Sequence, residues 1–318
     1  MQNATLFVEK ILKNTNYVNV YNLLGKPRPF DVSLRDGLQA LSKEEQKLFT
    51  TEEKIKKYNQ IICDHFPKNI EIGSFVNSNI LPIFSDTDKL LNYVNGSMAG
   101  GINNYVLVPN MTQLQNALKF GASNFSFITS VSESFQHKNT KMSLSDSLLN
   151  INEMMLYLHH NRNYELDETT GELIRKLNKH HVKIYVSCIN HCPIEGEIKM
   201  TSIISQIMKI NKLNPNKICL SDTCGNLKLK DFSLIINYCK QANINIKNFS
   251  LHLHIHPDRE KEAEKIMFFA LDNGINEFDV SDFSSGGCSV TMKKSELAPN
   301  MNYEQYYRFL TKYLMDKI

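Results

Sequence analysis

The stretch Phe249-Ser-Leu-His-Leu-His-Ile-His-Pro-Asp258 decides how the rest of the sequence is interpreted. Three histidines, His252, His254 and His256, alternate with aliphatic residues along it. Because the side chains of a β-strand point alternately to opposite faces, the three imidazoles are predicted to share one face of a strand. Pro257 favours extended geometry in the residue before it and marks the strand end. Imidazoles at such an end can bind one metal ion, whereas a solvated strand face carrying histidines is the alternative.

The composition is that of an ordinary globular protein. The chain has 318 residues, of which 42% are hydrophobic and 22% charged, with a net charge of +3. The small net charge is spread along the chain, so neither a nucleic-acid-binding face nor a nucleic-acid partner is expected. Seven cysteines are too few for a disulfide framework and indicate reduced thiols. Without a bilayer-spanning apolar run or a secretory signal, we expect no membrane association and a cytoplasmic location.

Short strand patterns alternate with helical patterns through most of the chain. Strands are predicted at 30–33, 69–75, 104–109, 124–129, 182–187, 217–221, 249–256 and 275–280. Helices are predicted between them, and the capping box Ser42-Lys-Glu-Glu45 begins one that runs to about His65. Strict alternation of eight units predicts parallel strands closed into an α/β fold, the (β/α)8 TIM barrel. We assign residues 29–318 to this barrel and residues 1–28 to an N-terminal extension containing one short helix.

Residues with reactive side chains lie within, at the end of or just after the predicted strands. A barrel of this type has its chemistry at the carboxyl-terminal ends of its strands, so these residues are expected at one rim. They are Arg35, Asp36, Glu71, Asp222, His254, His256 and Cys288. The polar segment 161–171 reads instead as an exposed excursion that is dispensable for folding.

The first predicted strand leads into a stretch with a family resemblance. Val32-Ser-Leu-Arg-Asp-Gly-Leu-Gln39 resembles the signature of 3-hydroxy-3-methylglutaryl-CoA lyases, which are metal-dependent aldolase-type barrels related to isopropylmalate and homocitrate synthases. The resemblance extends from this strand to about Glu304. Supporting stretches are Ile70–Val76, Val108–Asn110, Ser132–Phe135, Lys138-Asn139, Val186–Cys188, Cys192–Gly196 and Ser221–Gly225.

The resemblance implies a divalent metal, Mg²⁺ or Mn²⁺, bound by an aspartate, two histidines and an asparagine. The aspartate corresponds to Asp36 and the asparagine to Asn300. The histidines correspond to His254 and His256, because this choice needs the smallest insertion before Gly274. The pair formed by His252 and His254 is the alternative. Oxygen and imidazole ligands together suit a hard or borderline ion.

The resemblance also assigns catalytic roles to Arg35, Glu71, Asp222 and Cys288. Arg35 would polarise a carbonyl, Glu71 and Asp222 would be acids at the rim, and Cys288 would be the thiol of a mobile loop. Glu71, Asp222 and Cys288 each have an alternative interpretation as structural residues. Glu71 could pair with a cation inside the barrel, Asp222 could cap a helix, and Cys288 could be a loop cysteine without a role. Substrate contacts are expected at Arg35, Gln39 and Thr223.

Two further cysteines, Cys188 and Cys192, lie close to His191 and could indicate a zinc site. Four tetrahedral ligands are not evident in the sequence, so a buried structural role is the preferred interpretation.

The function that the resemblance implies is carbon–carbon bond cleavage in 3-hydroxy-3-methylglutaryl-CoA, which makes acetyl-CoA and acetoacetate. The expected partner is therefore an acyl-CoA substrate, and a homodimer is the expected assembly. A related acyl-CoA lyase or Claisen-type synthase with another substrate is one alternative. A barrel that binds metal or acyl-CoA without turnover is the alternative from a different class.

Overall fold

A computed structural model describes residues 29–97, 101–160, 180–286 and 297–317, together with the backbone of two short strands, Tyr164–Leu166 and Leu173–Arg175. The predicted N-terminal extension and Cys288 lie outside the described residues. The same holds for most of the predicted excursion at 161–171. Its described part, Tyr164–Leu166, pairs antiparallel with Leu173–Arg175.

Eight parallel strands form the barrel that the sequence predicts. They are β1 (Phe30–Asp31), β2 (Asn69–Ser74), β3 (Asn103–Leu107), β4 (Asn124–Ser130), β5 (His181–Ser187), β6 (Lys217–Asp222), β7 (Phe249–Leu253) and β8 (Asp279–Val280). From β1 to β7 each strand pairs with the next in chain order, and β1 pairs in parallel with β8. An isolated parallel bridge joins Leu251 of β7 to Phe278, the residue before β8. The prediction of a (β/α)8 barrel is therefore confirmed.

Helices surround the strands. They are α1 (Leu38–Ala40), α2 (Lys43–Gln46), α3 (Thr51–His65), α4 (Thr87–Gly96), α5 (Met111–Lys119), α6 (Glu133–Thr140), α7 (Leu144–His160), α8 (Met200–Lys212), α9 (Leu229–Gln241), α10 (Glu260–Asp272) and α11 (Tyr303–Met315). Among the helices in the described ranges, none has the length and apolar character needed to cross a bilayer.

Several predicted elements differ from the observed ones. The strands predicted at 30–33 and 275–280 are observed only as Phe30–Asp31 and Asp279–Val280. The capping box of Ser42 and Glu45 is present, but its helix α2 ends at Gln46. A second helix begins because Thr50 accepts a hydrogen bond from the backbone N–H of Glu53. The histidine strand ends at Leu253 rather than near Pro257, since its partner β6 ends at Asp222, directly opposite Leu253.

The barrel interior carries charge as well as apolar side chains. Lys183 is almost completely buried on β5, and its Nζ lies 3.5 Å from the ring centroid of Phe30 on β1. Aliphatic and aromatic residues on the outer faces of the strands pack against the helices in one continuous core. This division places ionisable residues inside the barrel, directly below the rim where the strands end.

Candidate active site

A π-helical turn, Ser33–Gly37, follows β1 and presents Arg35 and Asp36 to the rim. Such turns are rare and occur frequently at functional sites. Arg35 Nη1 donates to Asp36 Oδ1 at 2.5 Å, and Arg35 Nε donates to Glu71 Oε2 at 2.5 Å. Burial alone would raise the pKa of Asp36, but the adjacent Arg35 charge holds it well below its usual range. The turn therefore supplies a buried, ionised carboxylate.

Two imidazoles from the end of β7 converge on this carboxylate. The Nε2 atoms of His252 and His254 lie 3.3 Å apart, and each lies 3.8 Å from Asp36 Oδ2. These three residues form the only group of three or more His, Cys, Asp or Glu residues with metal-ligand geometry in the described part of the chain. All three are buried.

The Nδ1 atoms of these imidazoles explain why the Nε2 atoms suit a cation. His254 Nδ1 lies 2.9 Å from the backbone oxygen of Asp222, which can only accept, so Nδ1 carries the proton. His252 Nδ1 lies 3.0 Å from Asp279 Oδ2. The Nε2 lone pairs of His252 and His254 then face each other and the Asp36 carboxylate. A positive ion bound between them would remove the repulsion among these electron-rich atoms. Burial lowers the pKa of His254, but Asp36 and the Asp222 carbonyl reverse the shift, so the net pKa is raised.

His256 is not part of this cluster, so the predicted pairing of His254 with His256 needs correction. Its Nε2 lies 3.2 Å from the backbone oxygen of Cys224. The reason is that the chain has left the strand, because His256 precedes a 3-10 turn at Pro257–Arg259. The alternation that would place all three imidazoles on one face therefore stops after His254. The geometry favours the alternative pair, His252 and His254.

Asn300 completes the cluster from the segment before α11. It forms an isolated antiparallel bridge with His254, and its Nδ2 donates to Asp36 Oδ2 at 2.9 Å. Its Oδ1 is buried and has no hydrogen-bond partner among the described residues. A buried carbonyl oxygen without a partner is costly unless an ion or water satisfies it. The donor set of Asp36, His252, His254 and Asn300 therefore fits a divalent cation.

Glu71 is completely buried on β2 and contacts Arg35 rather than the open cavity. Its Oε2 also accepts a hydrogen bond from Tyr185 OH at 3.3 Å. Burial lowers the pKa of Arg35, but the Glu71 and Asp36 carboxylates reverse this and raise it well above its usual value. In this geometry Glu71 orients the guanidinium, as the ion-pairing interpretation expects. Its catalytic role stays a prediction.

Asp222 faces the loop after β6 rather than the cluster. Its carboxylate accepts hydrogen bonds from the backbone N–H groups of Asn226 and Leu227, both at 2.9 Å. Burial raises the pKa of Asp222, and these hydrogen bonds oppose the shift. The carboxylate stabilises this loop and does not cap a helix, because α9 begins at Leu229 with Lys228 as its N-cap residue. The backbone oxygen of Asp222 orients His254. Its predicted role as a catalytic acid or base stays a prediction without support from this geometry.

A cavity of about 820 Å³ opens over the cluster. Its walls include the two predicted substrate-contact residues Gln39 and Thr223, as well as Arg35. The Thr223 hydroxyl accepts a hydrogen bond from the Cys188 backbone N–H at 2.8 Å, which fixes this part of the wall. The volume is within the range of small-molecule sites. Arg35, Gln39 and Thr223 thus line the same cavity as Asp36, His252 and His254.

Cys188 and Cys192 are buried away from any zinc-type ligand group in the described ranges. The Cys192 sulfur lies 3.0 Å from Ser132 Oγ and accepts from the backbone N–H groups of Ile194 and Glu195, both at 3.3 Å. Contact with Cys188 and these donors lowers the pKa of Cys192 to about 5, against the effect of burial. The geometry agrees with the structural interpretation, since these contacts hold the hairpin formed by the short antiparallel strands His191–Cys192 and Gly196–Glu197.

Three residues at the site were not predicted from the sequence. They are Asp279 beside His252, Lys183 beside Asp279, and Tyr185, whose ring lies between Arg35 and His252. The signal that could have identified two of them is a charged residue within an apolar strand, as in Val182-Lys-Ile184 and Phe278-Asp-Val280. In a parallel barrel such a residue must point to the interior, where it needs a partner.

The fold and the cluster together define a TIM-barrel enzyme with a candidate cation site at its rim. The family model described as HMGL-like matches residues 26–311. The cytoplasmic 3-hydroxy-3-methylglutaryl-CoA lyase of Rattus norvegicus is 28% identical over 264 residues, which cover 81% of this chain and 67% of the rat protein. The hydroxymethylglutaryl-CoA lyase of Bacillus subtilis is 27% identical over 81% of this chain and 77% of its own length.

Solved structures of similar proteins have the same fold. The Bacillus subtilis HMG-CoA lyase has a TM-score of 0.73 at 25% identity, with 91% of this chain and 87% of that chain covered. An Acinetobacter baumannii HMG-CoA lyase, solved with coenzyme A and 3-methylmalate, has a TM-score of 0.73 at 22% identity, covering 90% of this chain and 84% of that one. This chain belongs to the HMGL-like family and is a carbon–carbon lyase.

Proposed function

We propose that this protein cleaves 3-hydroxy-3-methylglutaryl-CoA to acetyl-CoA and acetoacetate with the help of a divalent cation. The observation that carries the proposal is the convergence of Asp36, His252, His254 and Asn300 beside Arg35. Asn300 Oδ1 has no hydrogen-bond partner in the described part of the chain. The names of the curated relatives and the coenzyme A complex of one structural neighbour support the substrate class.

The reaction breaks the bond between C2 and C3 of the acyl group. The tertiary hydroxyl loses its proton as the ketone of acetoacetate forms, and the electron pair passes to the thioester enolate, which is then protonated to acetyl-CoA. A divalent cation held by the cluster would supply Lewis acidity that lowers the pKa of the substrate hydroxyl. We assign Mg²⁺ or Mn²⁺ to this role from the oxygen and imidazole ligand set.

Arg35 supplies fixed positive charge where the enolate oxygen develops. Its orientation is set by Glu71 on one side and Asp36 on the other, so little reorganisation is needed during the reaction. A base for the hydroxyl proton, either Asp222 or a histidine, and Cys288 as the proton donor to the enolate stay predictions. A homodimer and a cytoplasmic location also stay predictions.

The first experiment follows acetoacetate from purified protein incubated with the hydroxymethylglutaryl thioester, with and without Mn²⁺. We expect turnover that requires the cation. Arg35→Met should lower kcat by about 10² or more with little change in KM, because the guanidinium acts mainly on the transition state. The matched control is Arg308→Met, which removes an exposed arginine paired with Glu260 and should leave kcat unchanged.

Two outcomes would contradict the proposal. Equal and negligible rates in wild type and Arg35→Met, with Mn²⁺ bound to both, would identify a barrel that binds ligand without turnover. Full activity in Arg35→Met would remove Arg35 from the mechanism while leaving the fold assignment intact.

A further inference from the structure

A buried chain of charged contacts runs beneath His252. Lys183 Nζ donates to Asp279 Oδ1 at 2.5 Å, and Asp279 Oδ2 lies 3.0 Å from His252 Nδ1. Glu277 Oε1 accepts a weaker hydrogen bond from the same Nζ at 3.3 Å. Lys183 and Asp279 are each only 1% exposed. The two carboxylate oxygens of Asp279 therefore serve two different partners, one of them an imidazole of the candidate metal cluster.

The two imidazoles of the cluster are anchored in different ways. His254 Nδ1 donates to a backbone oxygen, that of Asp222, which is set by the end of β6. His252 Nδ1 faces a side chain on β8, so its orientation depends on where that carboxylate points. Lys183 binds the other oxygen of that carboxylate and so fixes its direction. The ammonium group is itself held in place, because its Nζ lies 3.5 Å from the centroid of the Phe30 ring.

We propose that Asp279 is a positioning residue for metal binding and that Lys183 positions Asp279. Asp279 keeps the proton of His252 on Nδ1, so that Nε2 presents its lone pair towards Asp36 and His254. A carboxylate behind a ligand imidazole fixes the tautomer and ring orientation and raises the basicity of the ligand. This inference rests on the proposed function only in taking a divalent cation as the ion bound.

The geometry also explains why an acid and a base are tolerated in an apolar interior. The Asp279 carboxylate, buried without a cation, would be strongly destabilising. Lys183 offsets that cost because it is hydrogen-bonded directly to Asp279. Lys183 lies too deep to contact a substrate in the cavity, because the cavity wall includes Tyr185 and Ser187 of the same strand but not Lys183. Its contribution to the site therefore passes through Asp279.

Mn²⁺ affinity, measured by calorimetry on the full chain, tests the proposal. Asp279→Asn should bind Mn²⁺ about 10–100-fold more weakly than wild type. The matched control is Glu277→Gln, which also removes a carboxylate contact to Lys183 but touches no imidazole of the cluster, and should bind Mn²⁺ as wild type does. If Asp279→Asn does not fold, the double variant Lys183→Met/Asp279→Asn removes both buried charges and should still show the weaker binding.

A second readout separates orientation from general stability. Nitrogen-15 shifts of the His252 ring at pH 8, in metal-free protein, should show the proton on Nδ1 in wild type and a mixture of tautomers in Asp279→Asn. Wild-type affinity and an unchanged tautomer in Asp279→Asn would overturn the inference. If wild type binds no Mn²⁺, the cation of the proposed function is refuted separately, and the tautomer of His252 still decides the role of Asp279.

Discussion

Three histidines with the same chemistry have two different environments because the backbone around them changes. His252 and His254 meet at Nε2 beside Asp36, whereas His256 contacts the backbone oxygen of Cys224. The distinction depends on where the strand ends and not on residue type. Substituting each histidine in turn tests which of them bind the metal.

We expect His252→Ala and His254→Ala each to weaken Mn²⁺ binding by more than about 100-fold, because each removes a lone pair that converges on Asp36. His256→Ala should bind Mn²⁺ with wild-type affinity and serves as the matched control. Calorimetric titration measures all three. Loss of binding in His256→Ala with retention in His252→Ala would restore the pair first preferred from the sequence.

The loop after β6 is the element that holds His254 in place. The Asp222 carboxylate accepts hydrogen bonds from two backbone N–H groups of this loop. Gly225, in the same loop, has a φ of +65°. A Cβ atom at Gly225 would lie 2.8 Å from the His254 backbone oxygen and 2.9 Å from His256 Cδ2. Glycine is needed here both for its left-handed conformation and for the close approach of the two loops.

Gly225→Ala should therefore lower the free energy of unfolding and weaken Mn²⁺ binding together. Gly196→Ala is the matched control, because Gly196 has a φ of +78° but no atom within 4 Å of the added Cβ. The control should show only the cost of a left-handed alanine, about 1–2 kcal/mol, with wild-type metal affinity. Equal unfolding free energies and equal affinities in the two variants would show that the close approach is unimportant.

At the scale of the whole molecule, one contact joins the first strand to the last helix. Tyr303 OH at the start of α11 donates to Asp31 Oδ2 at 2.8 Å, and Ser33 donates to both oxygens of the same carboxylate. Burial nevertheless raises the pKa of Asp31 to about 7, although these hydrogen bonds oppose the shift. Asp31 should therefore make the stability of the barrel depend on pH.

The folded protein keeps a proton on Asp31 between about pH 4 and pH 7, where the unfolded chain has released it. Stability attributable to this group is therefore present at low pH, is lost as the pH rises through that window, and levels off above pH 7. Relative to Asp31→Asn, wild type should lose about 3 kcal/mol of unfolding free energy between pH 5 and pH 8.

Urea unfolding at the two pH values measures this difference. The exposed Asp64→Asn should retain the wild-type slope. A pH slope that is the same in wild type and Asp31→Asn would show that Asp31 ionises normally.

The sequence alone was sufficient for the barrel and for part of its rim. Alternating strand and helix patterns are local signals, and parallel strands joined by helices have few ways to close, so eight such units predicted the observed topology. Arg35 and Asp36 follow β1 directly, and their position at the rim is a consequence of that topology. The resemblance carried by 32–39 indicated the same family as the match over residues 26–311.

Contacts between residues distant in the sequence decided the rest. β7 ends where its neighbour β6 ends, and His254 pairs instead with Asn300, so the choice among three histidines depended on pairing that no local pattern records. Asp279 meets Lys183 only because β8 closes the barrel against β1 and the interior brings their side chains together. Periodicity determines which face a side chain occupies, whereas its partner on that face is determined by the register and closure of the whole sheet.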